Sequence, residues 1–255
     1  MVYCIFGLMK IVILFFRALW RIWFYVLMGI SIALLCPFLF VSTLSPKWYL
    51  FFYKTAKTWA AINLYGMGFW PKIYGVENVK ATPYIIVANH ASMIDILLLY
   101  YALPTPFVFV GKKELASLPL FGYFYKRSCI LVDRGKAKSR YGVYAEAAAR
   151  LNKGLGVCIF PEGGIPKASK EVVAPFKDGA FRLAIAHQTP LLPISIYDTK
   201  ARFPYFFLKG SPGRLRLKIH KPIEVTHFEQ QARKDLKDST RALLLDDLNA
   251  MKKAT

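Results

Sequence analysis

The stretch Asn89-His90-Ala91-Ser92-Met93-Ile94-Asp95 decides how this chain is read. It follows the apolar run Tyr84-Ile85-Ile86-Val87-Ala88 and precedes a second, Ile96-Leu97-Leu98-Leu99-Tyr100. The first run is short and β-branched, which predicts a buried strand. The second stays apolar for a helical length. The polar residues between them sit where a strand hands over to a helix, the place where open α/β sheets bind ligands. A histidine and an acid five apart there suggest a base and its orienting partner. Five residues of straight helix turn through about 500°, so the two side chains would diverge by about 140°. They meet only if His90 precedes the helix and Asp95 lies about one turn inside it, with Ser92 as N-cap. Asp95 then accepts from the imidazole Nδ1–H and leaves Nε2 as general base. The same spacing also fits a structural loop histidine beside a capping acid.

The sequence on either side alternates in the same way. Residues 107–110, 129–132, 155–160 and 191–197 predict strands. Residues 92–101, 136–152 and 178–187 predict helices, the second stopped by Gly154. Residues 112–116 and 120–126 predict short helices around Pro119. Residues 214–220 alternate polar and apolar, as a half-buried edge strand does. Thr226 and Glu229 predict a capping box for a last amphipathic helix to about residue 252. Strands separated by helices imply an α/β fold, with a mixed, largely parallel sheet flanked by helices.

Residues 1–70 contain no acidic residue, and residues 22–44 carry no charge at all, a length that can cross a bilayer. Ser45-Pro46 reads as a break, after which residues 48–70 are aromatic and apolar. No small-residue cleavage site follows the apolar segment, which argues against a secretory signal. The expectation is a membrane-associated helical hairpin over 1–70, breaking between Pro37 and Pro46, and an α/β domain over 71–255. Arg17 and Arg21 favour a cytoplasmic start. Removing Lys10, Arg17 and Arg21 from the net charge of +20 leaves +17, so the remainder is basic too. Cys4, Cys36, Cys129 and Cys158 lie in apolar runs without metal-type spacing and read as buried, reduced thiols. Both features place the domain on the cytoplasmic face of the inner membrane. With 55% hydrophobic residues, the positive charge points to an anionic lipid surface and away from nucleic acid.

Three further stretches carry chemistry. Val132-Asp133-Arg134-Gly135 ends a strand with an arginine fork suited to a phosphate, among Lys112, Lys113, Lys136, Lys138 and Arg140, although Arg134 taken alone also reads as a solvated turn residue. Phe160-Pro161-Glu162-Gly163-Gly164 ends another, its glycines letting backbone approach a ligand and Glu162 able to bind a hydroxyl or a basic group. Thr189 to Ile196 is a proline-entered buried strand that reads as core and channel wall. Phe203-Pro204-Tyr205-Phe206-Phe207-Leu208-Lys209 reads either as an interfacial contact or as a packed loop.

Together these stretches resemble the four blocks of the glycerolipid acyltransferases, especially the 1-acylglycerol-3-phosphate acyltransferase family. His90 and Asp95 match its His-x4-Asp block, Asp133-Arg134 the block ending in a phosphate-binding arginine, Phe160 to Gly163 its Phe-Pro-Glu-Gly block, and Leu192-Pro193 its proline block. Lys112 to Leu115 and Phe176 to Ala180 also resemble it. The chain departs from the pattern at Ala91, where the family often has Gln, and at Gly164-Ile165, where it usually has Thr-Arg. Lys167, Lys170 or Lys177 would then act as point charges in place of the missing fork.

The resemblance implies transfer of an acyl group from acyl carrier protein or coenzyme A to a lysophospholipid hydroxyl, foremost the sn-2 hydroxyl of 1-acylglycerol-3-phosphate. It implies His90 and Asp95 as the catalytic pair, with Arg134, Glu162, Gly163, Lys112 and Lys177 around the acceptor. Backbone N–H groups at the adjacent helix start are expected to hold the oxyanion. No cysteine occupies the blocks, so direct transfer is expected, with no metal and no cofactor beyond the acyl donor. Glycerol-3-phosphate or a lyso-aminolipid remains open as acceptor because of Gly164-Ile165. A non-catalytic anionic-lipid-binding protein is the reading outside the enzyme class.

Overall fold

The structure, a computed structural model, describes residues 2–80, 82–118, 121–133, 137–165, 172–226 and 228–253. The chain forms two compact units. One comprises residues 1–72, 91–101 and 197–216, and the other residues 73–90, 102–196 and 217–255.

The first unit begins with α1 (Val2–Thr43), a single helix of 42 residues that keeps Pro37 inside it. At about 1.5 Å per residue it is about 63 Å long, twice the hydrocarbon core of a bilayer. Residues Met9–Thr43 are apolar enough to cross one. The helix is uninterrupted, so the uncharged stretch from residue 22 is continuous with the residues before it. The break comes at Ser45, whose hydroxyl accepts from Lys47 N–H at 3.3 Å, with Pro46 opening a 3-10 turn. The chain then returns as α2 (Tyr49–Gly66). The Trp20 and Trp23 indoles donate to the Met67 and Gly66 carbonyls at 3.1 and 2.9 Å, satisfying acceptors at the end of α2. Asn63 donates to the Ser31 hydroxyl at 2.9 Å within the apolar pair. At Gly66 an added Cβ would fall 2.6 Å from Leu27 Cδ2, so the absence of a side chain sets how closely the helices approach.

The seven-stranded sheet has the order β1-β7-β6-β2-β5-β3-β4. Its strands are β1 (Phe69–Tyr74), β2 (Ile85–Ala88), β3 (Phe107–Lys112), β4 (Cys129–Val132), β5 (Gly156–Ile159), β6 (Leu191–Ile196) and β7 (Gly213–Ile219). β2 runs parallel to β5 and β6, β3 parallel to β4 and β5, and β6 antiparallel to β7. This is the mixed, largely parallel sheet expected. β2 is buried along its whole length, as a strand covered on both faces must be.

The remaining helices are α3 (Ile94–Ala102), α4 (Phe121–Ser128), α5 (Ala137–Leu151), α6 (Gly179–Ala186), α7 (Thr199–Arg202) and α8 (Arg233–Lys253), of which α5, α6 and α8 accompany the sheet in the second unit. Helix α5 stops at Gly154 (φ +74°), where Leu155 N–H reaches back to the Arg150 carbonyl. The expected capping box at Thr226 is corrected. Phe228 N–H closes a turn on Val225, and α8 starts only at Arg233, after a 3-10 turn at Gln230–Ala232. β1 holds Pro71 inside it, and no strand is predicted there from the sequence. β1 ends the strand order, and an edge strand tolerates a missing donor.

Cys129 and Cys158 each pair in register with Phe109 from opposite sides. Burial pushes the Cys129 thiol up to about 12 and the Cys158 thiol well above its ordinary value. Both are the inert buried thiols expected, and Cys36 is half-buried. The side chain of Cys4 lies outside the described residues.

Candidate active site

Parallel pairing places the carboxyl ends of β2, β3, β4 and β5 along one edge of the sheet. Each of these strands is followed by polar residues of the expected set: His90 after β2, Lys112 closing β3, Asp133 after β4, and the Phe160 to Gly163 turn after β5. The register Val87↔Ile159 brings His90 and Phe160 out of neighbouring strands, and the imidazole stacks on the Phe160 ring at 3.9 Å between centroids, 13° from parallel. Phe109 of β3 also stacks on Phe160, 5.9 Å between centroids. The histidine plane is thus fixed by an aromatic that the strand pairing delivers. Asn89 locks the same loop, donating to the Ile196 carbonyl at 3.0 Å and accepting from Ile196 N–H at 2.8 Å.

Glu162 is half-buried, and both its oxygens serve the main chain. Oε1 accepts from His90 N–H at 2.7 Å and Oε2 from Ala174 N–H at 2.9 Å. Hydrogen bonds to a charged group contribute roughly 1.5–3 kcal/mol each. The carboxylate expected to face substrate is therefore also the tie between the β5 turn, the His90 loop and the segment before α6. Pro161 adds to this, its carbonyl accepting from Lys177 N–H at 2.8 Å. Gly163 adopts φ +82°, and a Cβ there would fall 2.4 Å from Lys177 Nζ. Lys177 is brought beside the turn. Lys112 is exposed at the end of β3. Arg134, Lys136, Lys167 and Lys170 lie outside the described residues, as do the side chains of Lys138 and Arg140.

Asp95 lies in the first turn of α3 (Ile94–Ala102) and is fully buried. Its Oδ2 accepts from Ala91 N–H at 2.7 Å and Ser92 N–H at 2.8 Å. The positive end of the helix and two backbone donors both favour the carboxylate. These two N–H groups at the start of α3 are thus taken up by Asp95. Ser92 is only a distant cap, 3.4 Å from Ile94 N–H, and its hydroxyl donates to the Phe203 carbonyl at 2.5 Å.

A second cluster went unread in the sequence because its members are far apart. Ser195 Oγ lies 2.8 Å from His220 Nε2, Asp247 Oδ2 lies 3.4 Å from that same nitrogen, and Asp247 Oδ1 pairs with Lys218 Nζ at 2.5 Å. A relay needs the hydroxyl and the acid on opposite ring nitrogens. Here both meet Nε2, so the cluster joins β6, β7 and α8 and is not a catalytic triad.

The family model described as acyltransferase matches residues 71–197, which takes in all four blocks. The 1-acyl-sn-glycerol-3-phosphate acyltransferase of Saccharomyces cerevisiae is 29% identical over 229 residues, covering 86% of this chain and 71% of that one. The enzyme of the same name from Cocos nucifera is 30% identical over 166 residues, 64% of this chain, and the chain spans about half (53%) of its length. The crystal structure of the 1-acyl-sn-glycerophosphate acyltransferase PlsC from Thermotoga maritima superposes with a TM-score of 0.78 at 25% identity, covering 92% of this chain and 95% of that one. Four blocks in order, the sheet that aligns them and these likenesses agree: the chain belongs to the acyltransferase family of enzymes.

Proposed function

We infer that this enzyme transfers a fatty acyl group from acyl carrier protein or coenzyme A to the sn-2 hydroxyl of 1-acylglycerol-3-phosphate, giving phosphatidic acid. The observation that carries the reading is His90, stacked on Phe160 and held through its backbone by Glu162 of the Phe-Pro-Glu-Gly turn. A hydroxyl is a poor nucleophile at neutral pH, and a positioned base contributes typically about 10²–10⁴-fold. His90 Nε2 takes the hydroxyl proton as the oxygen attacks the thioester carbonyl. The tetrahedral intermediate collapses, the C–S bond breaks, and the imidazolium returns the proton to the departing thiolate. Asp95 is the acid of the block and stabilises the imidazolium. Arg134, with Lys112 and Lys177, holds the acceptor phosphate, and Gly163 lets the turn approach it. No cofactor beyond the acyl donor takes part. The acceptor is a membrane lipid, so the apolar α1 keeps the enzyme at its substrate, with the site on the cytoplasmic face of the inner membrane.

The test is an acyl-transfer assay of the purified chain with both donors against a panel of lyso-lipids. Turnover of lysophosphatidate, lost in His90→Ala while vesicle binding persists, supports the reading. Equal turnover by the His90→Ala chain would sink it. Gly164-Ile165 favours one alternative, an acceptor other than lysophosphatidate, and the same panel separates the two.

A further inference from the structure

The loop between β6 and β7 carries a feature that acyl transfer does not use. Tyr205, Phe206, Phe207 and Leu208 are consecutive and 68, 59, 44 and 41% exposed. The loop is nevertheless firmly built at its base. Phe203 is buried against Trp20, Phe24 and Phe69, with ring centroids 5.7, 4.5 and 6.4 Å away. Arg202 donates to Ser211 Oγ and the Pro212 carbonyl at 2.9 and 3.0 Å. Gly210, at φ +107°, lies so close to the Arg202 carbonyl that a Cβ would fall 2.4 Å from it.

The decisive contact comes from α1. Arg21 is 3% exposed, sits 3.7 Å over the Phe203 ring, and donates to four carbonyls of this one loop. They belong to Pro204, Phe206, Phe207 and Lys209, at 2.6, 2.8, 3.2 and 3.2 Å. A loop facing water has no need of such a partner, because water satisfies its carbonyls. A loop entering lipid does, since irregular backbone is tolerated there only when the protein satisfies it. The charge around the loop fits the same surroundings. Lys200, Arg202, Lys209 and Arg214 flank it, and no acidic residue occurs between Asp198 and Glu224. Lys209 Nζ sits 5.1 Å from the Phe206 ring, an ammonium at the rim of an aromatic tip. The staple also joins the loop to the helix that is apolar enough to cross a bilayer.

We propose that Tyr205 to Leu208 form a preformed wedge that enters the headgroup boundary of an anionic bilayer, with Arg21 as the staple that satisfies its backbone. The aromatic rings and Leu208 lie among the upper acyl chains, and the flanking lysines and arginines meet lipid phosphates. The wedge is preformed, so little ordering is needed on insertion.

The test uses the full chain in vesicles of equal parts phosphatidylcholine and phosphatidylglycerol. Phe206→Cys, in a Cys4→Ser, Cys36→Ser background, is labelled with an environment-sensitive fluorophore. The label is expected to be quenched by doxyl groups on the lipid chains, shielded from iodide, and less shielded in phosphatidylcholine alone. Adding Arg21→Gln should return it to iodide while the chain still floats with the vesicles. The label site is exposed, so the first measurement decides even if the Arg21 variant fails to fold. Full iodide access in vesicles would overturn the wedge. Shielding that rises with protein concentration at fixed lipid would assign the surface to a second copy of the chain, and would overturn it equally. The readout involves no turnover. The His90→Ala chain should give the same shielding, so failure of the acyl-transfer reading and failure of this one are distinguishable.

Discussion

His90 is held to Glu162 by its main chain: the His90 N–H donates to Glu162 Oε1 at 2.7 Å, and the other carboxylate oxygen takes Ala174 N–H at 2.9 Å. Glu162→Gln keeps one acceptor and turns the other position into a donor facing an N–H. The variant is expected to lose about 1.5–3 kcal/mol of stability. Its kcat should fall more than its KM changes, because the base is displaced while the acceptor's charges remain. Thermal melts and steady-state kinetics on the same sample check this. Unchanged kcat in a folded Glu162→Gln chain would contradict the positioning role.

Arg241 of α8 supports the same tie from behind. It donates to the Val173 and Ala174 carbonyls at 2.8 and 3.3 Å, and so fixes the segment whose N–H reaches Glu162. Arg241→Ala is expected to lower stability by about 1–3 kcal/mol and to reduce kcat with little change in KM. Arg241→Lys should recover part of both. Equal loss of kcat in the alanine and lysine variants, at equal melting temperature, would argue against positioning.

Gly163→Ala tests the turn. A side chain at φ +82° costs roughly 1–2 kcal/mol. The new Cβ would also meet Lys177 Nζ at 2.4 Å. The ammonium ends a flexible chain and can swing away, so the fold should survive and the charge should move. The expected result is a modest drop in melting temperature with a raised KM for a phosphate-bearing acceptor.

His220 gives a pH dependence of definite sign. Burial lowers its pKa from the ordinary 6.5, Asp247 opposes this, and Lys218 adds to it. Ser195 on β6, Lys218 on β7 and Asp247 on α8 are the groups that face it. The unfolded chain therefore binds the proton first as pH falls. The stability contribution is complete above 6.5 and is lost as pH drops through the lower folded value. Asp178, lowered by its bond to Lys237, acts with the same sign in more acidic solution. Melting temperatures measured from about pH 8 to about pH 5 should fall, and His220→Gln should flatten the upper part of that slope.

The sheet was legible because its strands are short β-branched runs ended by glycine, proline or polar residues, as at Ile85–Ala88 and Cys129–Val132. The blocks of the candidate site stood out for the same reason, since they lie where those runs stop. What escaped were features fixed by distant partners. Pro71 hides β1, because a proline fits a strand only where the sheet edge spares its missing donor. Pro37 reads as a hinge, but α1 continues through it. Thr226 and Glu229 have the right spacing for a cap, but a turn at Phe228 intervenes. The charge of Glu162 suggests a ligand and that of Arg21 a cytoplasmic helix start, and both are used on carbonyl or amide groups of the chain itself. No local pattern announces such a bond, because its partner lies far along the sequence.

The contacts of Trp20, Arg21 and Phe24 bear on how the enzyme can be handled. These α1 residues cover Phe69 and Phe203, and Arg21 satisfies four carbonyls of the 204–209 loop. Cutting the chain after residue 44 to obtain a soluble catalyst would remove all three. It would uncover two buried rings and strip a loop of its donors. The apolar N-terminus is therefore no detachable tag, and purification should begin from the intact chain in detergent or lipid discs.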